Sequence, residues 1–133
     1  MDDAATEASD DLPDLGDLIA LLRAAGGRFA FLHGSRVTGV ARADSDLDVA
    51  VWFGAPSDDL ALRSRLPAGV DLLVLDDAPL ELAGRVALHG RLLFEGDPAE
   101  RVEWQATTRK IYLDEQPRIE RARADFAAAH RDG

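Results

Sequence analysis

The chain has 133 residues, 47% of them hydrophobic, no cysteine, and a formal charge of −10. That length and apolar share suit one domain with its own core, and the lack of cysteine excludes a disulfide framework or a thiolate zinc site. No apolar run approaches the roughly 20 residues of a membrane-spanning helix, and the acidity argues against broad binding to nucleic-acid backbone, which needs a basic surface.

Residues 1–11 hold Asp2, Asp3, Glu7, Asp10 and Asp11 with no base, so a disordered, solvated acidic tail is expected there. The tail lacks the basic and apolar blocks of a signal peptide, which predicts a cytoplasmic protein. Residues 12–133 read as a single domain without repeats or linkers. From Asp14, Leu15, Leu18, Ile19 and Leu22 follow helical spacing up to Gly26-Gly27. Arg28 to His33 predicts a strand, Ser35 to about Arg42 a short helix, and Asp46 to Phe53 a second strand. Pro56 to Arg65 reads as a helix and Val70 to Leu75 as a third strand. Pro79 to Leu88 predicts a helix, with Asp76-Asp77 as its cap, and Arg91 to Glu95 a short fourth strand. Asp97-Pro98-Ala99-Glu100 carries a helix-opening signature. A C-terminal helical segment is expected from about residue 97 to Arg131, broken or kinked at Pro117, with Ile119, Ala122 and Phe126 on one stripe that either docks on its own domain or meets a partner. Mixed strands and helices give an α/β (α+β) domain.

The chemistry concentrates in the stretch HGSRVTGVARADSDLDVAVWF, residues 33 to 53. Strand alternation puts Asp46, Asp48, Ala50 and Trp52 on one face, and Leu47, Val49, Val51 and Phe53 on the core side. Two carboxylates about 6.6 Å apart along a strand repel each other and call for a compensating cation. Magnesium takes oxygen ligands and shares its shell between carboxylates and substrate phosphates. Asp71 opens the third strand in the same way. If that strand lies beside the second, Asp71 falls next to Asp48, and three aspartates can hold two metal ions for phosphoryl or nucleotidyl transfer. Gly34-Ser35 stands at a strand-to-helix turn, where backbone N–H groups and a hydroxyl suit a phosphate. His33, His89 and His130 carry no metal-type pattern. Packing or turn hydrogen bonding is expected for His33, and a favourable helix-end position for the other two.

Gly34-Ser35, ten intervening residues and Asp46-Leu47-Asp48 resemble the signature of the nucleotidyltransferase superfamily with the DNA polymerase β-like fold. The fuller run GSRVTGVARADSDLDVAV resembles its small bacterial branch, the minimal nucleotidyltransferases (MNT). The resemblance implies a small mixed sheet with flanking helices, ATP as substrate and Mg2+ as cofactor. Asp46, Asp48 and Asp71 would be the catalytic and metal-holding carboxylates, with Gly34 and Ser35 on the triphosphate. Arg36 and Arg42 would be further phosphate contacts, since arginine suits phosphate oxygens. It further implies an antitoxin that silences a HEPN-domain RNase toxin by transferring AMP to a toxin tyrosine, with no direct nucleic-acid or membrane partner. Two alternatives stand beside this: an antitoxin acting by contact alone, and a nucleotidyltransferase modifying a small molecule such as an aminoglycoside.

Overall fold

A computed structural model describes residues 15–34, 47–56 and 59–131. The described elements, in chain order, are α1 (Leu15–Ala24), β1 (Phe29–His33), β2 (Leu47–Trp52), α2 (Asp59–Arg65), β3 (Val70–Val74), a single 3-10 turn (Leu75–Asp77), α3 (Leu80–His89), β4 (Arg91–Glu95) and α4 (Pro98–Arg131). Each predicted element that lies within the described residues is present. The expected helix after Ser35 and the acidic tail lie outside them. No described helix is long and apolar enough to cross a membrane.

The four strands form one mixed sheet in the order β3-β2-β1-β4. β1 runs antiparallel to both β2 and β4, whereas β2 and β3 are parallel and joined through α2. The parallel pair demands a crossover, and α2 supplies it. Alternation along β2 then feeds two cores. Leu47, Val49 and Val51 meet Leu18 and Leu22 of α1 and Leu62 of α2 on one face. Ala50 meets Phe29, Phe31 and Val86 on the other, with Trp104 of α4 packed against them. The architecture is therefore three layers, a mixed sheet between two pairs of described helices.

α1 ends as its glycines predict: the Gly27 N–H donates to Leu22 O at 2.9 Å and the Gly26 N–H to Arg23 O at 3.0 Å, the paired bonds of a Schellman motif. Asp97 caps α4, its carboxylate accepting the Ala99 N–H at 3.0 Å. α3 and α4 approach so closely at Gly84 that a Cβ there would overlap the Tyr112 ring. Gln105 Nε2 and Arg109 Nε both donate to the Ala87 carbonyl, at 2.9 and 2.7 Å, which ties the first half of α4 to the end of α3.

Two expectations need correction and a third holds only in part. Asp76 and Asp77 do not cap α3, whose first turn carries no side-chain cap. The Asp76 carboxylate instead accepts the Phe53 and Gly54 N–H groups at 2.8 and 2.7 Å. β2 has run out of partners there, and the 3-10 turn brings the carboxylate to those two donors. Second, α4 is not broken at Pro117 and continues through it over its 34 residues. Proline removes one ladder bond, but the carbonyl it deprives belongs to Leu113, whose residue is half exposed, so water can serve it. Third, the described residues cover the stripe after Pro117 only at its start, where Ile119 is half-buried. Residues 120–129 are all exposed, Phe126 to 64%, and the start of α3 meets this stretch through the Arg123–Glu81 ion pair.

Candidate functional site

β1 ends at His33, β2 begins one residue before Asp48, and β3 begins one residue before Asp71. The ladders place these three in a row across one end of the sheet. His33 is the antiparallel partner of Asp48, and Asp48 is the parallel partner of Asp71. Adjacent strands lie about 4.8 Å apart and register partners share a face, so Asp48 and Asp71 stand side by side on one surface. It is the surface that, further along, carries Ala50 and Trp52. Asp71 is exposed, and Asp48 and His33 are partly buried. The chain therefore turns a half-sunken carboxylate and an open one towards the same solvent.

Gly34 follows His33 with φ of +90°, a conformation that favours glycine. A Cβ at this position would overlap the Asp48 carboxylate oxygen Oδ2. Glycine is thus needed twice over, for the backbone turn and for the close approach of backbone to carboxylate. The turn expected from Gly34 is present. Ser35, Arg36, Arg42 and Asp46 lie outside the described residues.

His33 is the residue that sequence reasoning undervalued. Its Nε2 is buried without a hydrogen-bond partner among the described residues, so the expected turn hydrogen bond is not made by this atom. Burial lowers its pKa from the ordinary value, outweighing the opposing pull of the Asp48 and Asp71 charges. A neutral imidazole beside two carboxylates leaves their negative charge uncompensated from that side. The missing signal was the register of β1 on β2, which depends on the intervening turn.

Oxygen donors side by side at a strand end suit magnesium, whose shell takes a few carboxylates and leaves room for phosphate and water. Asp48 and Asp71 fit that ion by donor chemistry and placement. Among the described residues no group of three or more His, Cys, Asp or Glu side chains is arranged to hold a metal ion. A third carboxylate has to come from elsewhere, and Asp46 is the sequence candidate.

With this geometry in hand, the comparisons with known proteins can be read. The family model described as Polymerase beta, Nucleotidyltransferase matches residues 18–99, a span that runs from α1 to the start of α4 and holds every predicted site residue. No curated protein matches the chain. One chain of a toxin–antitoxin crystal structure with AMP-PNP superposes with a TM-score of 0.71 at 24% identity, covering 86% of this chain and 99% of that one. A chain of a mutant MntA–HpeT toxin–antitoxin structure gives 0.70 at 25% identity, covering 86% and 98%. A chain from the tri-AMPylated HEPN toxin of Shewanella oneidensis in complex with MNT antitoxin gives 0.65 at 24% identity, covering 85% and 95%. At these identities the likeness speaks for the fold, and nearly the whole of each matched chain takes part in it.

Proposed function

We propose an activity for this chain, which belongs to the polymerase β nucleotidyltransferase family: it acts as an antitoxin that transfers AMP from ATP to a tyrosine hydroxyl of a HEPN RNase toxin, with Mg2+ as cofactor, in the cytoplasm. The observation that carries this reading is the in-register pairing of Asp48 with Asp71 on one face, beside Gly34. The similar folds found in toxin–antitoxin structures with AMP-PNP and with an AMPylated HEPN toxin support the choice of nucleotide and acceptor.

In this reading Asp46, Asp48 and Asp71 hold the metal. Gly34 lets the triphosphate approach the backbone, Ser35 donates its hydroxyl, and Arg36 and Arg42 add guanidinium donors to phosphate oxygens. Magnesium, when bound, supplies charge neutralisation on the triphosphate and lowers the acceptor's pKa. An ordinary tyrosine hydroxyl has a pKa of about 10 and stays protonated at neutral pH. Asp71, the more open of the two described carboxylates, takes that proton. The tyrosine oxygen then forms its bond to the α-phosphorus, the bond from that phosphorus to the bridging oxygen of the β-phosphate breaks, and pyrophosphate leaves with the electron pair. The partly buried His33, its pKa lowered by burial, adds no charge at this end at neutral pH.

The test is direct. Purified chain, α-labelled ATP, magnesium and the HEPN protein encoded beside it should give label on a tyrosine of that protein and loss of its RNase activity. Stable binding of the two proteins without any label transfer would reject the transferase reading in favour of neutralisation by contact.

A further inference from the structure

We propose that the cleft between the end of β2 and the first turns of α4 binds an arginine side chain presented by a protein partner. The cleft is a cavity of about 350 Å³ lined by Trp52, Glu100, Glu103, Trp104, Thr107 and Thr108. Its five α4 residues fall at i, i+3, i+4, i+7 and i+8, which is one face of the helix. A helix face turned towards a sheet is ordinarily an apolar stripe. Here only Trp104 is apolar, its ring centroid 5.6 Å from Phe29 and 5.8 Å from Phe31 of the sheet. Trp52 stacks on Phe29 at 5.1 Å with planes 15° apart. Both indoles remain partly exposed, so the cleft offers aromatic surface that the fold itself has not covered.

Most of the polar lining is unspent as well. Among the described residues Glu103, Thr107 and Thr108 make no side-chain hydrogen bond or ion pair. Glu100 meets the half-exposed Arg28 with both carboxylate oxygens, each a long 3.4 Å from Nη1. Carboxylates and indole faces are both electron-rich, so the cleft selects a cation and repels phosphate. A guanidinium satisfies both features together, stacking flat on indole while its N–H groups donate to carboxylates. A chain of net charge −10 draws basic partner surfaces towards it. The cleft is also distinct from the carboxylate end of the sheet, since Trp52 lies four residues beyond Asp48 on the same strand, roughly 13 Å away. The inference therefore stands whether or not the chain transfers AMP.

The chain's two tryptophans both line this cleft, so its tryptophan emission reports on the site directly. Titration of the full chain with a capped Gly-Arg-Gly peptide should give a saturable emission change. The same peptide with citrulline for arginine keeps the shape and loses the charge, and should bind at least about five-fold more weakly. Glu103 is exposed, so Glu103→Gln leaves the fold in place and should weaken the arginine peptide by a similar factor. A response that does not saturate, that is equal for citrulline, or that survives Glu103→Gln unchanged would overturn the assignment.

Discussion

At one end of the face shared by β1, β2 and β3, Trp52 stacks on Phe29, and Ala50 packs with Phe31 and Val86. At the other end His33, Asp48 and Asp71 stand in a row. The same strands, with the same alternation, make an apolar core at one end and a carboxylate pair at the other. The apolar end fixes the register, because a slip by one residue would turn every side chain of β2 to the wrong face. The polar end inherits its geometry from that register. Like-charged neighbours do not choose to sit side by side; they are held there by the packing of Phe29, Phe31 and Ala50 a few residues away. Stability and chemistry should accordingly separate along the length of β2.

The largest effect expected from that division is at Asp48. Asp48→Asn keeps the side chain's shape and removes its charge, and should lower AMP transfer by about a thousand-fold or more, as loss of an electrostatic group at a reacting centre does. Denaturant unfolding of the same variant should move far less than transfer does, because the exchange keeps the side chain's shape at a partly exposed position outside the core. If the variant neutralised the toxin as well as the parent chain, the carboxylate end would be idle and contact alone would suffice.

The reverse pattern is expected at the apolar end. Phe29 is fully buried and touches Phe31, Trp52 and Trp104. Phe29→Ala should cost about 3–5 kcal/mol by denaturant unfolding. At temperatures where the variant remains folded, transfer should fall far less than in Asp48→Asn. A variant that lost transfer before it lost stability would show that the two ends are coupled more tightly than by register.

The division was only half legible in the sequence. Asp48 and Asp71 stood out because a strand's apolar run makes each charge conspicuous, and alternation alone decides which face it takes. That reasoning needs only local spacing, and the β2–β3 pairing follows it. His33 opposite Asp48 could not be read the same way, since an antiparallel register depends on how the chain between the strands turns. Asp76 was misassigned for a related reason. Sequence offers a carboxylate just before a helix as a cap, whereas in space the ends of β2 and β3 lie together and the Asp76 carboxylate accepts from Phe53 and Gly54. Ile119 and Phe126 keep helical spacing, but spacing says only that a stripe exists; how much of it is covered depends on the neighbouring elements, and Ile119 is half-buried whereas Phe126 is 64% exposed.

The smallest effect expected is a pH dependence at His33, and its sign tests how the two ends meet. Burial lowers the pKa of His33 below its ordinary value of about 6.5, against the opposing pull of Asp48 and Asp71. The unfolded chain then binds the proton more readily than the folded one, so the stability attributable to a neutral His33 is present above pH 6.5 or so and is lost as pH falls through that value towards the folded pKa. Denaturant unfolding in magnesium-free buffer at pH 7.5 and 5.0 should show a larger loss on acidification for the parent chain than for His33→Gln. Asp48→Asn removes one of the charges that hold the pKa up, so its loss on acidification should exceed the parent's. Were the two carboxylates stronger than burial, His33 would bind its proton more tightly in the folded state. The parent chain would then lose less on acidification than His33→Gln, and the polar end of β2 would be a compensated ion cluster instead of an open pair of carboxylates.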